Sequence, residues 1–373
     1  MSHDILQAIW FLLVAVLFAG YFFLEGFDYG AGAVLPLLGK TNNERRLILN
    51  ALGPIWDGNE VWLLTAGGAI FAAFPHWYAS LFSGFYLALF LMLLALILRI
   101  VAFEYRSKKQ DPVWQGRWDI ILAISSALPG LLWGVAVSNL VFGVPVGGVD
   151  KQLPSTFFFL LEPWDLLCGI SFLALFCYHG CLFIDIKTDN KALQVRIKQY
   201  APRFFLVMLI TLVLWLVCAF LFSGMFINPM MGPLAAFAKE SPSLAASVAG
   251  TSVAGPLGLV ALGLTLVAAV ALLFSIFMFL KGRSGFAFLG TALAIPLFTF
   301  AVFAGMFPNV LRSNVDPAFS LTIYNASSSA YTLTLMTIVA VCLVPVVLAY
   351  QIWTYWVFRK RLTEEDLKLN LDY

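Results

Sequence analysis

The stretch Gly53-Pro54-Ile55-Trp56-Asp57-Gly58-Asn59-Glu60-Val61-Trp62 carries two carboxylates, an amide and two indoles inside a segment that otherwise runs apolar to Phe74. A bilayer interior has no bulk water to solvate such groups, so ionisable residues there mark a functional site by default. The rest of the chain decides whether this segment is a membrane span. Hydrophobic residues make up 61% of the 373 and charged ones 11%, and the mean hydropathy is +0.91. No soluble core could hide that much apolar surface, so the chain reads as a polytopic, all-α membrane protein. The net charge of +2 conceals a spatial asymmetry and points to no partner by itself. Cys168, Cys177, Cys181, Cys218 and Cys342 all fall in apolar segments, which argues against a disulfide framework. Met1-Ser2-His3-Asp4 lacks the basic region of a cleavable signal peptide, so the first apolar segment is expected to stay as a span.

A span needs roughly 20 apolar residues. Nine segments qualify, at about Ile5–Leu38, Leu47–Phe74, Tyr78–Phe103, Trp118–Phe142, Pro163–Phe183, Phe204–Ile227, Pro256–Leu280, Gly285–Phe307 and Leu333–Phe358. They are long and continuous rather than alternating, which excludes a barrel. Orientation follows from the connections. One set holds Lys40, Arg45, Arg46, Arg106, Lys108, Lys109, Arg117, Lys187, Lys191, Arg196, Lys198, Arg203, Lys281, Arg283, Arg359, Lys360, Arg361 and Lys368. The alternate set holds only Lys151, Lys239 and Arg312, with Arg99 inside the third span. Basic residues stay on the cytoplasmic side, so the N-terminus is expected outside and the C-terminus in the cytoplasm. The expected organisation is one helix bundle over 1–145 with the first four spans, a second over 146–310 with the next four, and a ninth helix with a cytoplasmic tail over 311–373. Pro75-His76-Trp77 reads as a tight turn, Leu234–Lys239 as a short helix outside, and Thr363-Glu-Glu-Asp366 as the capped start of a short tail helix.

Orientation converts residue number into depth. Asp28 lies ten residues before the cytoplasmic end of the first span and Asp57 ten after the start of the second, each roughly 15 Å deep at 1.5 Å per residue. The short connection Gly39–Arg46 makes these helices antiparallel neighbours. Asp28 and Asp57 are therefore expected side by side, with Glu25 and Glu60 one turn deeper and Glu104 near the surface beside Arg99 and Arg106. No Lys or Arg is expected level with the four deeper acids. Such a row of Glu104, Asp28, Asp57, Glu25 and Glu60 suits a relay that takes up and releases protons. Gly26, Gly30, Gly32 and Gly58 are expected to allow close backbone approach or water-lined irregularity beside it. The competing reading is that each acid is simply paired or hydrogen-bonded. For Glu104 that reading weighs as much as the functional one.

Other constellations carry less. Cys177-Tyr178-His179-Gly180-Cys181 sets His179 off the face shared by the two thiols, so helix packing is favoured over a metal site. His3 and His76 read as solvated residues at the outer surface, and three histidines in all leave little for haem ligation. Nothing resembles a phosphate-binding loop, a nucleophile elbow or a nucleic-acid footprint.

The motifs Gly26-Phe-Asp-Tyr-Gly30, Glu44-Arg-Arg46, Trp56-Asp-Gly-Asn59 with Val61-Trp62, Thr65-Ala-Gly-Gly68, Phe71-Ala-Ala-Phe-Pro75, Ser83-Gly-Phe-Tyr86, Phe103-Glu-Tyr-Arg106, Gly305-Met-Phe-Pro308, Asn325-Ala-Ser-Ser328 and Pro345 followed by Tyr350 span almost the whole chain. On these the sequence resembles subunit II of the cytochrome bd-type quinol oxidases, including their cyanide-insensitive branch. The resemblance implies a noncatalytic, haem-free chain in the cytoplasmic membrane of a prokaryote. Its partner would be the subunit I that carries haems b and d, oxidises quinol and reduces oxygen. It implies a heterodimer, with room for small accessory subunits, in contact with membrane lipid and quinone and not with nucleic acid. Some members hold a quinone of structural role in subunit II. The family's proton-path residue in this subunit maps onto Asp57. Trp62, Glu25, Asp28, Glu60 and Glu104 extend that path, although other members carry a neutral amide at the position of Glu60. The other readings are a proton-coupled secondary transporter, for which broken helices and repeat symmetry in both halves would speak, and a membrane scaffold with no proton role.

Overall fold

The computed structural model describes residues 2–147, 157–223 and 254–369. Its helices are α1 (His3–Leu38), α2 (Asn42–Leu52), α3 (Trp56–Ala73), α4 (Pro75–Gly84), α5 (Tyr86–Arg106), α6 (Pro112–Phe142), α7 (Pro163–Lys187), α8 (Lys191–Cys218), α9 (Ala254–Leu280), α10 (Ser284–Met306) and α11 (Ala330–Val357). A wider turn, Ala219–Ser223, extends α8. Strands β1 (Asn309–Leu311) and β2 (Leu321–Thr322) form a small antiparallel ribbon. Among the described residues, eight helices are long and apolar enough to cross a membrane, namely α1 and α5 to α11.

The expected second span is the exception. It is broken into α2 and α3 at Gly53-Pro54-Ile55. Proline lacks the N–H that would continue the ladder and its ring crowds the preceding turn. The chain instead closes α2 with Gly53 N–H donating to Leu49 (2.8 Å) and Ile55 N–H to Leu52 (2.9 Å), and α3 starts afresh at Trp56. The expected third span is also in two parts, α4 and α5, which meet at Phe85. Pro75-His76-Trp77 is not a turn: the bend is at Phe74, and Pro75 opens α4, where a missing N–H costs nothing. The tail is likewise shorter than expected. Asp366 reaches back to accept from the Thr363 N–H (2.8 Å) and hydroxyl (2.9 Å), and only a 3-10 turn, Asp366–Leu369, follows. The short helix expected over Leu234–Lys239 lies outside the described residues.

Two ends can be traced from hydrogen bonds. At one, His3 contacts the Ser328 carbonyl (3.0 Å), the Ser328 hydroxyl donates to Ala72 (2.6 Å), Gln7 donates to Ser327 (2.6 Å), and Val144 donates to Arg312 (2.9 Å). Residues of the Asn325–Ser328 motif thus tie the start of α1 to the end of α3. At the other end, Arg45 binds Asp119 at 2.7 Å, and Arg106 binds Asp119 at 2.5 Å and Asn42 at 2.9 Å. Arg196 pairs with Glu44, and Leu362 N–H donates to Lys187 (2.8 Å). The connections that carry Arg45, Arg106, Lys187 and Arg196 meet at this second end. Here the capping box of Thr41 and Glu44 starts α2. Glu44 lies outside the span. Burial alone would raise its carboxyl, but the Thr41 N–H, the Arg196 guanidinium and the Lys40 N–H outweigh that and hold it below the usual carboxylate range.

A single buried core joins residues of α1, α2, α5, α6, α7, α8, α9 and α10. At its centre α1 and α7 cross backbone to backbone, since a Cβ on Gly30 would collide with the Phe176 carbonyl and one on Gly180 with the Ala31 amide. Gly32 meets Ser126 of α6 and Gly26 lies under the Phe176 ring, whereas a Cβ on Gly58 would meet only Gln351 Nε2, at 3.9 Å. α11 stands apart, with Leu333 its one buried residue.

Candidate functional site

The core crossing brings α1 against α3 and α5 with its acids turned inward. Glu25 and Asp28 are fully buried, and so is Arg99 of α5. Arg99 Nη1 forms an ion pair with Glu25 Oε1, and its guanidinium carbon lies 4.9 Å from the centre of the Tyr29 ring. Tyr29 and Tyr21 share a hydrogen bond between hydroxyls, and the Trp133 indole donates to Tyr21 (3.1 Å). The sequence expectation that no cation lies level with the acids is therefore wrong. Arg99 was placed near the surface with Glu104, but the guanidinium reaches Glu25. Desolvating two charges costs more than a bare acid could tolerate, and the pair offsets much of that. Glu104 is exposed, and the two arginines expected beside it are engaged by Glu25 and Asp119.

Asp28 does not face Asp57. Its partner on α3 is Asn59, fully buried, whose Nδ2 donates to Asp28 Oδ2 at 2.6 Å. Residues two apart on a helix point about 200° away from each other, so turning Asn59 inward turns Asp57 outward, and Asp57 is exposed. The side-by-side pair of aspartates is thus replaced by an aspartate and an amide. Glu60 is half-buried between these two faces. Among the described residues, Glu25 Oε2, Asp28 Oδ1, Glu60 Oε2 and Arg99 Nε and Nη2 are buried and have no hydrogen-bond partner. Such orphaned charged atoms in a bilayer are where water or a moving proton is accommodated at least cost.

Helix α11 completes the site. Its Tyr355 hydroxyl donates to Asn59 Oδ1 (2.7 Å), as does Gln351 Nε2 (3.2 Å), and the Trp62 indole donates to Gln351 Oε1 (2.9 Å). Trp62 also packs over Gly20 of α1, where a Cβ would overlap the indole. Sequence reasoning placed the work in the first three spans and missed Arg99, Gln351 and Tyr355 as members. Gln351 and Tyr355 lie one turn apart in a helix with no charged side chain, and that spacing was the available signal. His179 packs as expected: Nδ1 lies 2.7 Å from the Thr291 hydroxyl, Nε2 3.2 Å from the Phe23 carbonyl, and the ring stacks on Phe288. Among the described residues no three His, Cys, Asp or Glu side chains gather in a way that would hold a metal ion.

Comparison with known proteins places this geometry. The family profile described as cytochrome bd terminal oxidase subunit II matches residues 6–358. The chain is 35% identical over 361 residues to "Cytochrome bd ubiquinol oxidase subunit 2" of Bacillus subtilis (strain 168), covering 97% of this chain and 98% of that one. It is 36% identical over 383 residues to "Cytochrome bd-I ubiquinol oxidase subunit 2" of Escherichia coli (strain K12), covering 99% and 98%. A chain of "The structure of bd oxidase from Geobacillus thermodenitrificans" has the same fold, with a TM-score of 0.70 at 14% identity over 94% of this chain and 98% of that one. With a profile matched from the first span to the last and full-length relatives above 30% identity, the chain belongs to the cytochrome bd terminal oxidase subunit II family.

Proposed function

We propose that this chain is the haem-free partner of a larger, haem-bearing subunit I in a quinol:oxygen oxidoreductase of a prokaryotic cytoplasmic membrane, and that it helps deliver cytoplasmic protons for reduction of oxygen to water. On this reading it makes nine crossings, counting α2 and α3 as one, with the N-terminus outside and the C-terminus in the cytoplasm. The meeting of the connections carrying Arg45, Arg106, Lys187 and Arg196 at the end that holds the α1–α2 connection supports that orientation. Oxidation of quinol and the haem chemistry belong to the partner.

The observation that carries the proton role is Asp28, fully buried with one oxygen held by Asn59 and the other without a partner among the described residues. The break at Gly53–Ile55, about one turn before the Asn59 that meets Asp28, interrupts the backbone ladder, the kind of irregularity tolerated only where it lines protein or water. Asp57 takes a different part. It sits on an outer stripe of α3 with Val61, Leu64 and Phe71, all exposed. A carboxylate facing lipid at mid-depth would cost about 2.5–3.5 kcal/mol, a cost removed if a partner covers it. The outer faces of α8 and α9 carry Leu206, Ile210, Leu266 and Val270 and no acid, which suits lipid. We therefore place subunit I on the α3, α5 and α11 side, where Asp57 would open towards it. The helix breaks fall in α2–α3 and α4–α5 alone among the described residues, not in both halves as a secondary transporter would have them.

A structural quinone, where a member of the family holds one, fits an apolar cavity lined by Phe18, Trp77, Phe85, Trp133, Phe172 and Phe303. The Trp77 indole N–H is buried without an acceptor among the described residues and would donate to a quinone carbonyl. The test of the main reading is Asp57→Asn and Asp28→Asn in the purified complex. Haem spectra stay native while quinol-driven oxygen consumption falls at least tenfold. Native turnover in both variants would sink the proton role, and absence of a haem-bearing partner on purification would sink the assignment as a whole.

A further inference from the structure

Asn59 meets Asp28 with its N–H end, and nothing in Asn59 itself dictates that. A carboxamide has a donor end and an acceptor end of nearly the same shape, and half a turn about its last bond exchanges them. The choice is made by a chain of bonds that begins at Trp62. An indole N–H donates and cannot accept. Because Trp62 Nε1 donates to Gln351 Oε1 (2.9 Å), the Gln351 amide must present Nε2 on its other side. That nitrogen donates to Asn59 Oδ1 (3.2 Å), joined there by the Tyr355 hydroxyl (2.7 Å). With two donors on Oδ1, Asn59 has only Nδ2 left for Asp28 Oδ2, and the bond is 2.6 Å. Gln351 and Tyr355 belong to α11, a helix otherwise almost free of the core.

We propose that Trp62, Gln351 and Tyr355 are positioning residues that lock the Asn59 amide, so that Asp28 Oδ2 is always an acceptor and any proton on Asp28 sits on Oδ1. Oδ1 is the oxygen with no partner among the described residues, hence the one open to exchange. The arrangement gives a symmetric carboxyl group a fixed direction for uptake and release, with no bond made or broken except the O–H itself. It also gives the ninth helix a task at the acid site: docking of α11 sets the polarity of the chain that ends on Asp28. Trp62 then acts by orientation and carries no proton. This inference deepens the reading that Asp28 moves protons and rests on it.

The test uses the intact oxidase complex, with Gln351→Leu/Tyr355→Phe made in the native chain and again with Asp28→Asn. In the native chain the pair leaves haem spectra and the quinol KM unchanged and lowers kcat about tenfold, the weight of one hydrogen bond to a charged group. With Asp28→Asn present, the same pair changes kcat by less than about twofold, because coupled residues do not add. The protonated-carboxyl band of Asp28 in infrared difference spectra, assigned by its loss in Asp28→Asn, shifts in the pair and in Trp62→Phe alone. Equal losses with and without Asp28, or native kcat in the pair, would overturn the proposal. Native kcat in Asp28→Asn would instead remove the proton reading; the infrared band would still decide the orientation. If the pair does not assemble, Trp62→Phe supplies both readouts, and an unmoved band there counts against the lock.

Discussion

Arg99 shows how much a single buried charge constrains its neighbours. The guanidinium and the Glu25 carboxylate are both fully buried, with Tyr29 against the cation. Removing one member strands the other in a medium that cannot solvate it. Arg99→Met is therefore expected to destabilise the chain by about 3–5 kcal/mol, and Glu25→Met/Arg99→Met to recover most of that loss. Denaturant titration of the purified complex in detergent, followed by tryptophan fluorescence, checks it; a double variant no better than the single would deny the pairing. The same scale explains the reversal at Asp57 and Asn59. Both are in the opening stretch, two residues apart, and helix geometry allows only one of them to face Asp28. Asn59 satisfies the carboxylate with a donor, whereas a second aspartate there would repel it.

At the scale of elements, the decisive contacts are backbone approaches and caps. Gly30 sits where α1 meets the Phe176 carbonyl, and no side-chain rearrangement relieves a clash with backbone. Gly30→Ala should abolish accumulation of the assembled complex. Gly58→Ala, whose new methyl would find only Gln351 Nε2 at 3.9 Å, should assemble normally, read by haem content of isolated membranes. The start of α2 gives a pH prediction. The folded-state pKa of Glu44 is depressed, so its contribution to stability is present above the ordinary carboxylate value and is lost as pH falls through the lower folded value. Hydrogen exchange over residues 42–52, taken relative to the intrinsic amide rate at each pH, should quicken on acidification through that range. In Glu44→Gln it should lose that dependence, since the amide oxygen can still accept from the Thr41 N–H but no longer carries the charge that pairs with Arg196; pH-independent protection in the native chain would refute the role of the charge.

For the whole molecule, the placing of acids divides the surface into two kinds. The α3 side pairs apolar residues with Asp57, whereas the exposed faces of α8 from Leu206 to Val217 and of α9 from Leu259 to Leu280 are apolar and carry no acid. Single cysteines at Leu64 on α3 and Val270 on α9, 69% and 64% exposed in this chain, should report the difference in the complex. With the exposed Cys342 replaced by Ser, a membrane-permeant maleimide is expected to label position 270 readily and position 64 at least tenfold more slowly. Equal labelling would move the partner to another face. The helix groups expected at 1–145 and 146–310 share the core through α1 and α7, so α1 supplies both the acids and the central packing surface. That dual use accounts for its density of glycine beside charge.

Composition and run length were enough to determine a polytopic helical membrane protein, because those depend on one-dimensional properties of the chain. Motif identity was enough to point to the family. That Asp28 and Glu25 lie within an apolar helix was legible for the same reason; their complete burial was shown by the fold. Sequence did not disclose that Gly53–Ile55 divides a span, that Arg99 reaches Glu25, or that Asn59 rather than Asp57 meets Asp28. Those outcomes depend on helix rotation and on which neighbour comes within reach. Gln351 and Tyr355, some three hundred residues further along the chain, meet Asn59 only through tertiary packing. Hydropathy measures how deep a residue lies; only packed helices decide which way it faces.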